Sequence, residues 1–408
     1  MNNVNIKMGK MRELAKYAYN HTKYYKRLYK NIEIDLVELP YGLPIAQSQD
    51  LLEQSLDFRA DIPIQKIVAS SGTSGNPKLI FRTFTDLERS ISNQFQLMQW
   101  CNINKNDIVG IVQPSGIWGY ADLTAEASKQ IGAAYINLGA IDNETCIKMI
   151  YDLQITVLDI APSRLWEILN QIKTHRNYRL KVFPIRIIMS AGEKLSSDFA
   201  GEIYKMYPNV LIYDHYGSEE LDGLGGTDCN VRDEWNFKLF ENDFIFEVLD
   251  ENYVPVQEGT IGRLIVTSLY HRGTPLIRYN LDDLVILKNN RLQVLGRGKD
   301  WINLFDSVKI HSFQVQKCVA LCLDSTTIWQ LQICEMPPKA VLLQLIIANN
   351  NVNEEKMNEL YEKMSKLTID VYAQFQIDKI KIKVVCDMAK LIYSGRGKLN
   401  RMLDTRKI

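Results

Sequence analysis

The chain has 408 residues, 46% hydrophobic and 24% charged, the balance of an ordinary soluble globular protein with length for more than one folding unit. Lysine plus arginine and aspartate plus glutamate both number 48, so the formal charge is zero, which removes the usual electrostatic case for nucleic acid or an anionic membrane as the main partner. No apolar run approaches the ~20 residues needed to cross a bilayer, and the opening MNNVNIKMGKMREL lacks a secretory apolar stretch. Cysteines at 101, 146, 229, 318, 322, 334 and 386 are odd in number and irregular in spacing, which suits reduced thiols in the cytoplasm rather than a disulfide framework. Cys318 and Cys322 lack the second pair that a structural zinc needs.

Leu14, Ala18, His21, Tyr25 and Leu28 recur at three- and four-residue steps and predict one helix, stopped by LPYGLP (39–44). Ser48-Gln49-Asp50 is the expected cap of a second, short helix, and His21 reads as a packed structural histidine. From 105 to 215, strand candidates at Ile108–Val112, Ala133–Asn137, Ile155–Ile160, Ile185–Ser190 and Val210–Tyr213 alternate with helical patterns such as 121–131 and 163–173. That rhythm predicts an α/β fold with a mainly parallel, helix-covered sheet, whose ligands bind beyond the C-terminal strand ends. SAGE (190–193) and YGSEE (216–220) follow two of these strand candidates. Residues 235–295 shift to short alternating runs at Phe244–Leu249, Gly262–Leu269 and Leu284–Leu287, which predict additional antiparallel strands. Beyond Gly296 the pattern is small α+β, with strands at Val341–Ala348 and Ile380–Val385 around a helix marked by Met357, Leu360, Met364 and Leu367. The expected organisation is a large N-terminal body, 1–298, and a small mobile C-terminal domain, 299–408.

SSGTSGNPK (70–78) carries the most chemistry. Its glycines let the backbone turn toward an anion, hydroxyls and amides donate to it, and the lysine adds charge. It is not a Walker loop, because Pro77 stands where that loop needs glycine.

This stretch resembles the SSGTTGxPK phosphate loop of the adenylate-forming superfamily of acyl- and aryl-acid ligases, in its phenylacetate–CoA ligase-like branch. RTFTDL (82–87), the opening AKYAYNHTKYYKRLY and LPYGLPIAQSQDL are similar to segments of that branch, in the same order. The resemblance implies that Ser70, Ser71, Gly72, Thr73, Ser74, Gly75 and Lys78 face the phosphates of ATP. SAGEKLS (190–196) resembles the family's GAEP-type turn, so Ser190, Ala191, Gly192 and Glu193 would line adenine and part of the acyl pocket. DHYGSEEL (214–221) is similar to DxYGxSE or NxYGxTE, which brings Asp214, Tyr216, Gly217 and Ser218 to the nucleotide. Tyr216 would pack on adenine and Glu220 would hold Mg²⁺. Here the chain departs from its relatives: Glu219 occupies the slot of the hydroxyl that meets the α-phosphate, with Ser218 one place early. A carboxylate there repels phosphate unless bridged or turned away, so either glutamate stays open as the metal contact.

PLIRYNLDDL (275–284) resembles PxIRYxTxDL and makes Asp283 the ribose acceptor, with Asp282 a solvated neighbour and Arg278 and Tyr279 supports of the loop. GRGKDWI (296–302) resembles GRxDDxI, which sets Arg297 near ribose and phosphate and Lys299 at the hinge of the mobile domain. SVKIHSFQVQ (307–316) looks like GxxIxPxEVE with one residue inserted, Ser307 replacing glycine and Ser312 replacing proline. GRGKLNR (395–401) resembles the C-terminal segment whose lysine, here Lys398, neutralises carboxylate and α-phosphate during adenylation. Trp118, Gly119 and Tyr120, with His215 and Ser190, would form a flat, mainly apolar acyl pocket.

The implied reaction activates a carboxylic acid, aromatic by resemblance, with ATP to an acyl-adenylate and releases pyrophosphate. A thiol, from CoA or the phosphopantetheine of a carrier protein, then displaces AMP; a homodimer is left open. Two alternatives remain: a degenerate relative that binds nucleotide or acyl group without turnover, and a ligase passing the acyl group to an amine or protein thiol.

Overall fold

The structure, a computed structural model, describes residues 3–70, 77–193, 195, 197–231, 236–298, 301–304, 308–323, 327–336, 340–348, 352–376, 378–392 and 402–407. They separate into two compact units, Met1–Leu195 with Ala200–Val294, and Ser196–Phe199 with Leu295–Ile408.

The expected first helix is two. α1 (Asn3–His21) ends where Thr22 turns extended and caps α2 (Lys23–Leu28), its hydroxyl accepting the Tyr25 N–H. The helical pattern therefore stops at Leu28, well before LPYGLP. His21 meets Asp61 at 2.6 Å and stacks on Tyr17, a structural role. α3 (Ser48–Glu53) is capped by Gln47 rather than Ser48, through a capping box with Asp50, and α4 (Ser55–Phe58) follows. β1 (Lys66–Ala69) and β2 (Leu79–Arg82) form an antiparallel hairpin closed by the 70–78 loop. In α5 (Phe84–Trp100) Thr83 and Asp86 form a second capping box. Buried Asp86 also accepts the N–H groups of Arg272 and Gly273, so the RTFTDL helix start anchors the loop before PLIRY.

β3 (Ile108–Ile111), α6 (Tyr120–Ile131), β4 (Ala134–Asn137), α7 (Asn143–Asp152), β5 (Val157–Ile160), α8 (Pro162–Thr174), β6 (Ile187–Ser190), α9 (Ser197–Met206) and β7 (Leu211–Ser218) form the expected βαβ succession. β8 (Asp222–Gly226), β9 (Phe237–Leu239), β10 (Phe244–Leu249), β11 (Ile261–Ser268), β12 (Tyr279–Lys288) and β13 (Arg291–Arg297) continue it. All join one sheet, ordered β10-β11-β12-β13-β9-β8-β7-β6-β5-β3-β4. Strands β3 to β7 pair in parallel, and from β7 onward through β8 the pairing turns antiparallel. β7 thus joins the two halves, and it runs through YGS instead of ending before it.

Met11, Leu14, Ala18 and Tyr25 are fully buried against the antiparallel half, with Leu264, Val266 and Tyr279. The Tyr25 hydroxyl takes the Ile277 N–H at 2.9 Å, and Ala46 exchanges backbone bonds with Arg278 and Asn280. These ties explain why segments far apart in sequence converge on PLIRY.

The second unit holds a hairpin of β14 (Trp301–Asn303) and β15 (Lys309–His311), then α10 (Ser312–Cys322), which Ser312 opens. Its four-stranded sheet has the order β18-β17-β16-β19, from β16 (Trp329–Met336), β17 (Ala340–Ile347), β18 (Ile380–Cys386) and β19 (Met402–Asp404). α11 (Glu354–Ser365) and α12 (Ile369–Gln376) lie between β17 and β18 in the chain. Trp329, Leu343, Leu345, Leu360 and Met364 form its core.

Arg278 supports the site loop from below. Its guanidinium is buried, binds both oxygens of buried Glu247 and donates to the Leu43 carbonyl. Arg278→Met strands Glu247 as a lone buried charge, and chemical denaturation should show a loss of about 3–5 kcal/mol. Adding Glu247→Leu should recover much of it.

Candidate active site

Lys78 emerges from the end of the 70–78 loop as β2 begins. Ser70 and Lys78 tie the loop's ends together, the Ser70 N–H donating to the Lys78 carbonyl and the Lys78 N–H to Ser70 Oγ. Ser71, Gly72, Thr73, Ser74 and Gly75 lie outside the described residues, as do Lys299, Ser307 and Lys398. Lys78 Nζ donates to Glu220 Oε1 at 2.6 Å, to Ser48 Oγ at 2.6 Å and to the Tyr279 hydroxyl at 3.1 Å. Four motifs therefore meet at one ammonium: the glycine-rich loop, SQDL, YGSEE and PLIRY. The sequence marks Ser48 only as part of a helix cap, and Tyr279 only as support of the loop. Neither residue carries a sequence signal beyond its motif.

Glu219 and Glu220 sit at the tip of the β7–β8 hairpin. Gly217 is required there, since a Cβ would lie 2.3 Å from the Asp222 carbonyl oxygen. Fully buried Arg82 secures the tip: one guanidinium nitrogen donates to the Glu219 and Glu220 carbonyls at 3.2 and 2.9 Å, and Nε to Asp222 Oδ2 at 3.1 Å. Ser90 and His271 bond the same Asp222 oxygen. Burial works against the Asp222 charge, but Arg82, His271 and Ser90 together hold its carboxyl well below the usual range. None of these four residues stood out in the sequence; an arginine closing an apolar strand, LIFR, is the only hint.

The two glutamates point to different partners. Glu220 engages Lys78, whereas Glu219 Oε2 accepts the Gly119 N–H at 3.1 Å, at the start of α6. Its carboxylate is thus turned to a helix N-terminus, where negative charge is favoured. Burial still outweighs that bond and pushes its pKa up to about 7.

Tyr216 and Asp283, expected at adenine and ribose, are joined by a 2.6 Å hydrogen bond from the tyrosine hydroxyl. Asp282 differs from expectation: it pairs with Arg263 at 2.8 Å, so it is a tethered rather than a merely solvated neighbour. Ser190, the last residue of β6, and Asp214, in the middle of β7, are buried register partners, and the Ala191 carbonyl accepts from Gln113. Gly192 takes the left-handed conformation, φ +84°, which lets the turn reverse, and Glu193 leaves the strand ends to accept from Ser163 at the start of α8. Arg297 is exposed at the end of β13, in the second unit. In the acyl group, Trp118 is half-buried and the Tyr120 hydroxyl meets His215 Nδ1 at 2.9 Å. Burial pulls the His215 pKa down to about 4, leaving it neutral. The residues expected to line a mainly apolar pocket thus include a hydrogen-bonded pair, because both rings turn their polar atoms toward each other.

Glu219 gives stability a pH slope. Between its unfolded pKa of 4.5 and its folded value of about 7 the native chain holds a proton that the unfolded chain releases, so stability falls as pH rises through that window. Glu219→Gln should remove that slope. Denaturation midpoints of the two proteins should be similar near pH 5, and the variant should gain on the wild type near pH 7.5.

No family model matches the chain. The phenylacetate-coenzyme A ligase of Escherichia coli is 21% identical over 301 residues, 72% of this chain and 69% of that protein. The phenylacetate-coenzyme A ligase of Thermus thermophilus is 22% identical over 335 residues, 75% and 73% of the two chains. Among solved structures, 2-hydroxyisobutyryl-CoA ligase in its postadenylation state superposes with a TM-score of 0.76 at 16% identity, covering 98% of this chain and 89% of that one. The O-succinylbenzoate coenzyme A synthetase of Bacillus subtilis, bound to AMP, gives 0.59 at 16% identity over 84% and 69%. The chain is a relative of the phenylacetate–coenzyme A ligases and has the fold of the adenylate-forming CoA ligases.

Proposed function

We propose that the protein is an AMP-forming acid–thiol ligase, which activates an aromatic carboxylic acid with ATP and passes the acyl group to CoA. The observation that carries this reading is the convergence of Lys78, Glu220, Ser48 and Tyr279, with Tyr216 bonded to Asp283 beside them in the same strand system. A carboxylate is a poor electrophile, and attack on the α-phosphate turns its oxygen into a good leaving group. No nucleophilic side chain is needed, so positioning and charge neutralisation carry the rate. Lys78 would neutralise phosphate, Tyr216 would pack on adenine, and Asp283 would accept from the ribose. Lys398, on the C-terminal domain that begins near Lys299, would supply the second positive charge during adenylation. Arg297 would join it near ribose and phosphate. The acceptor is CoA in this reading, with a carrier-protein phosphopantetheine the runner-up. The cytoplasm, which supplies ATP and keeps thiols reduced, is the fitting compartment.

Glu220 suits Mg²⁺, since its hard carboxylate oxygen sits at the phosphate-facing lysine. Among the described residues no three potential ligands cluster, so phosphate oxygens would complete the coordination. Bound there, the ion would offset phosphate charge. Glu219 is the weaker candidate, because its carboxylate is committed to Gly119.

ATP–pyrophosphate exchange across aryl, fatty and amino acids tests the reaction; no exchange with any acid would favour a non-catalytic nucleotide binder. Glu220→Gln should raise the Mg²⁺ concentration for half-maximal exchange more than Glu219→Gln does. The reverse order would shift the metal contact to Glu219. Lys398→Ala should sharply reduce adenylation while thiol transfer from preformed acyl-adenylate stays largely intact, measured as separate half-reactions. Equal loss in both would remove Lys398 from its role.

A further inference from the structure

His215 and Tyr216 are successive residues of β7, so their side chains leave opposite faces of the strand. On the His215 face, between α5, α6 and β5, an unbroken chain of polar side chains runs through an otherwise apolar interior. Gln94 Nε2 donates to Thr124 Oγ1 at 3.0 Å and to the Tyr120 hydroxyl at 3.3 Å. Thr124 donates onward to Asp159 Oδ2 at 2.7 Å. Tyr120 meets His215 Nδ1, and the other imidazole nitrogen lies 3.6 Å from Cys101 Sγ. The surrounding residues are Met98, Ile111, Ala121, Met189 and Tyr213, all buried.

Asp159 anchors one end and is left incomplete. It is fully buried, and its Oδ1 has no hydrogen-bond partner. In register it pairs with Met189, which pairs with Tyr213, so its side chain leaves the same face as His215. Buried polar atoms without partners are rare and costly, which makes this one, near the C-terminal end of a parallel strand, a pointer to a ligand. Burial pushes the Asp159 pKa up to about 7, only partly opposed by Thr124 and Gln113.

We propose that this polar chain recognises the acyl group, and that the preferred acid carries a hydroxyl or amino substituent donating to Asp159 Oδ1, instead of a bare hydrocarbon ring. The assignment rests on the acid-ligase function proposed above. Tyr120 and Trp118, half-exposed at the start of α6, form its approach, while Gln94 and Thr124 fix the direction of every bond behind them. A site built to satisfy a substrate hydroxyl discriminates strongly against the analogue that lacks it.

The test compares phenylacetate with its ring-hydroxylated and ring-amino derivatives, and benzoate with the same substitutions, by calorimetric binding and by ATP–pyrophosphate exchange. A hydroxy or amino acid should be preferred about tenfold or more, the worth of one well-made hydrogen bond at a buried site. Asp159→Asn and Thr124→Val should shrink that ratio to within about threefold, chiefly by weakening the polar acid. Equal or better binding of every unsubstituted acid overturns the proposal, as does an equal loss for both acids in the variants. If Thr124→Val fails to fold, the wild-type ratio and the isosteric Asp159→Asn still decide. Selective binding of a polar acid without exchange would uphold the recognition site and sink the ligase reading; exchange with unsubstituted acids preferred would do the opposite.

Discussion

The buried guanidinium of Arg82 is the interaction on which the site geometry depends. It lies at the end of β2, four residues after Lys78, and holds the β7–β8 hairpin by two carbonyls and the Asp222 carboxylate. One rigid fork therefore fixes the distance between the glycine-rich hairpin and the tip carrying Glu219 and Glu220. The planar geometry matters, since a lysine could not serve three acceptors in fixed directions. Burying such a charge is tolerable only because Asp222 is there, and Asp222 is itself completed by Ser90 and His271. The cluster links β2, α5, β8 and the loop before PLIRY into one frame.

Within that frame the departure in YGSEE acquires a physical account. A carboxylate in a hydroxyl slot beside phosphate would be repulsive if it faced the anion. Glu219 instead turns to the Gly119 N–H at the start of α6, the end of a helix that favours negative charge. A Cβ at Gly119 would meet Val68 Cγ1 at 3.2 Å and would stand 3.7 Å from Glu219 Oε2, so glycine keeps this approach open. The exchange of hydroxyl for carboxylate is thus coupled to the helix that carries Trp118 and Tyr120 at its start. In the proposed function, one residue would join the acyl side to the phosphate side.

What the sequence made legible divides by range. The parallel strands, the βαβ rhythm and the antiparallel strands beyond 235 were readable because each depends on local periodicity. By contrast β8, where antiparallel pairing already begins, is the glycine-rich DGLGG and shows no alternation. The glycine-rich loop was readable from its residue types, whereas YGSEE and PLIRYNLDDL were readable only through their resemblance to family motifs. The split of the first helix at Thr22 was not, since the apolar steps continue across it and only the cap geometry interrupts them. Arg82, Asp222, Ser90 and His271 were invisible for a different reason: their partnerships span up to 140 residues and have no local pattern. Asp159 left one trace, a carboxylate inside the apolar run ITVLDI. A charged residue buried within a parallel strand needs a reason, and periodicity alone supplies none.

The Lys78–Glu220 pair sets a condition on anything that binds here. Both side chains are largely buried, at 14% and 10% exposure, and their charged atoms meet directly. An arriving phosphate that takes the ammonium would leave Glu220 facing an anion in a poorly solvated place, which is costly by the same logic that stabilises the pair. Ser48 and Tyr279 do not relieve this, because hydroxyl groups can share the ammonium but bring no charge. In the proposed reaction, a nucleotide that arrives with a cation, or displaces Lys78 only in part, avoids that cost. A lysine, one point charge on a flexible stem with three donors, is suited to such sharing, as the fixed fork of Arg82 is not. A rigid and an adaptable cation thus stand four residues apart on one hairpin: Arg82 holds the β7–β8 tip still, and Lys78, in the proposed function, would share its donors with an arriving phosphate.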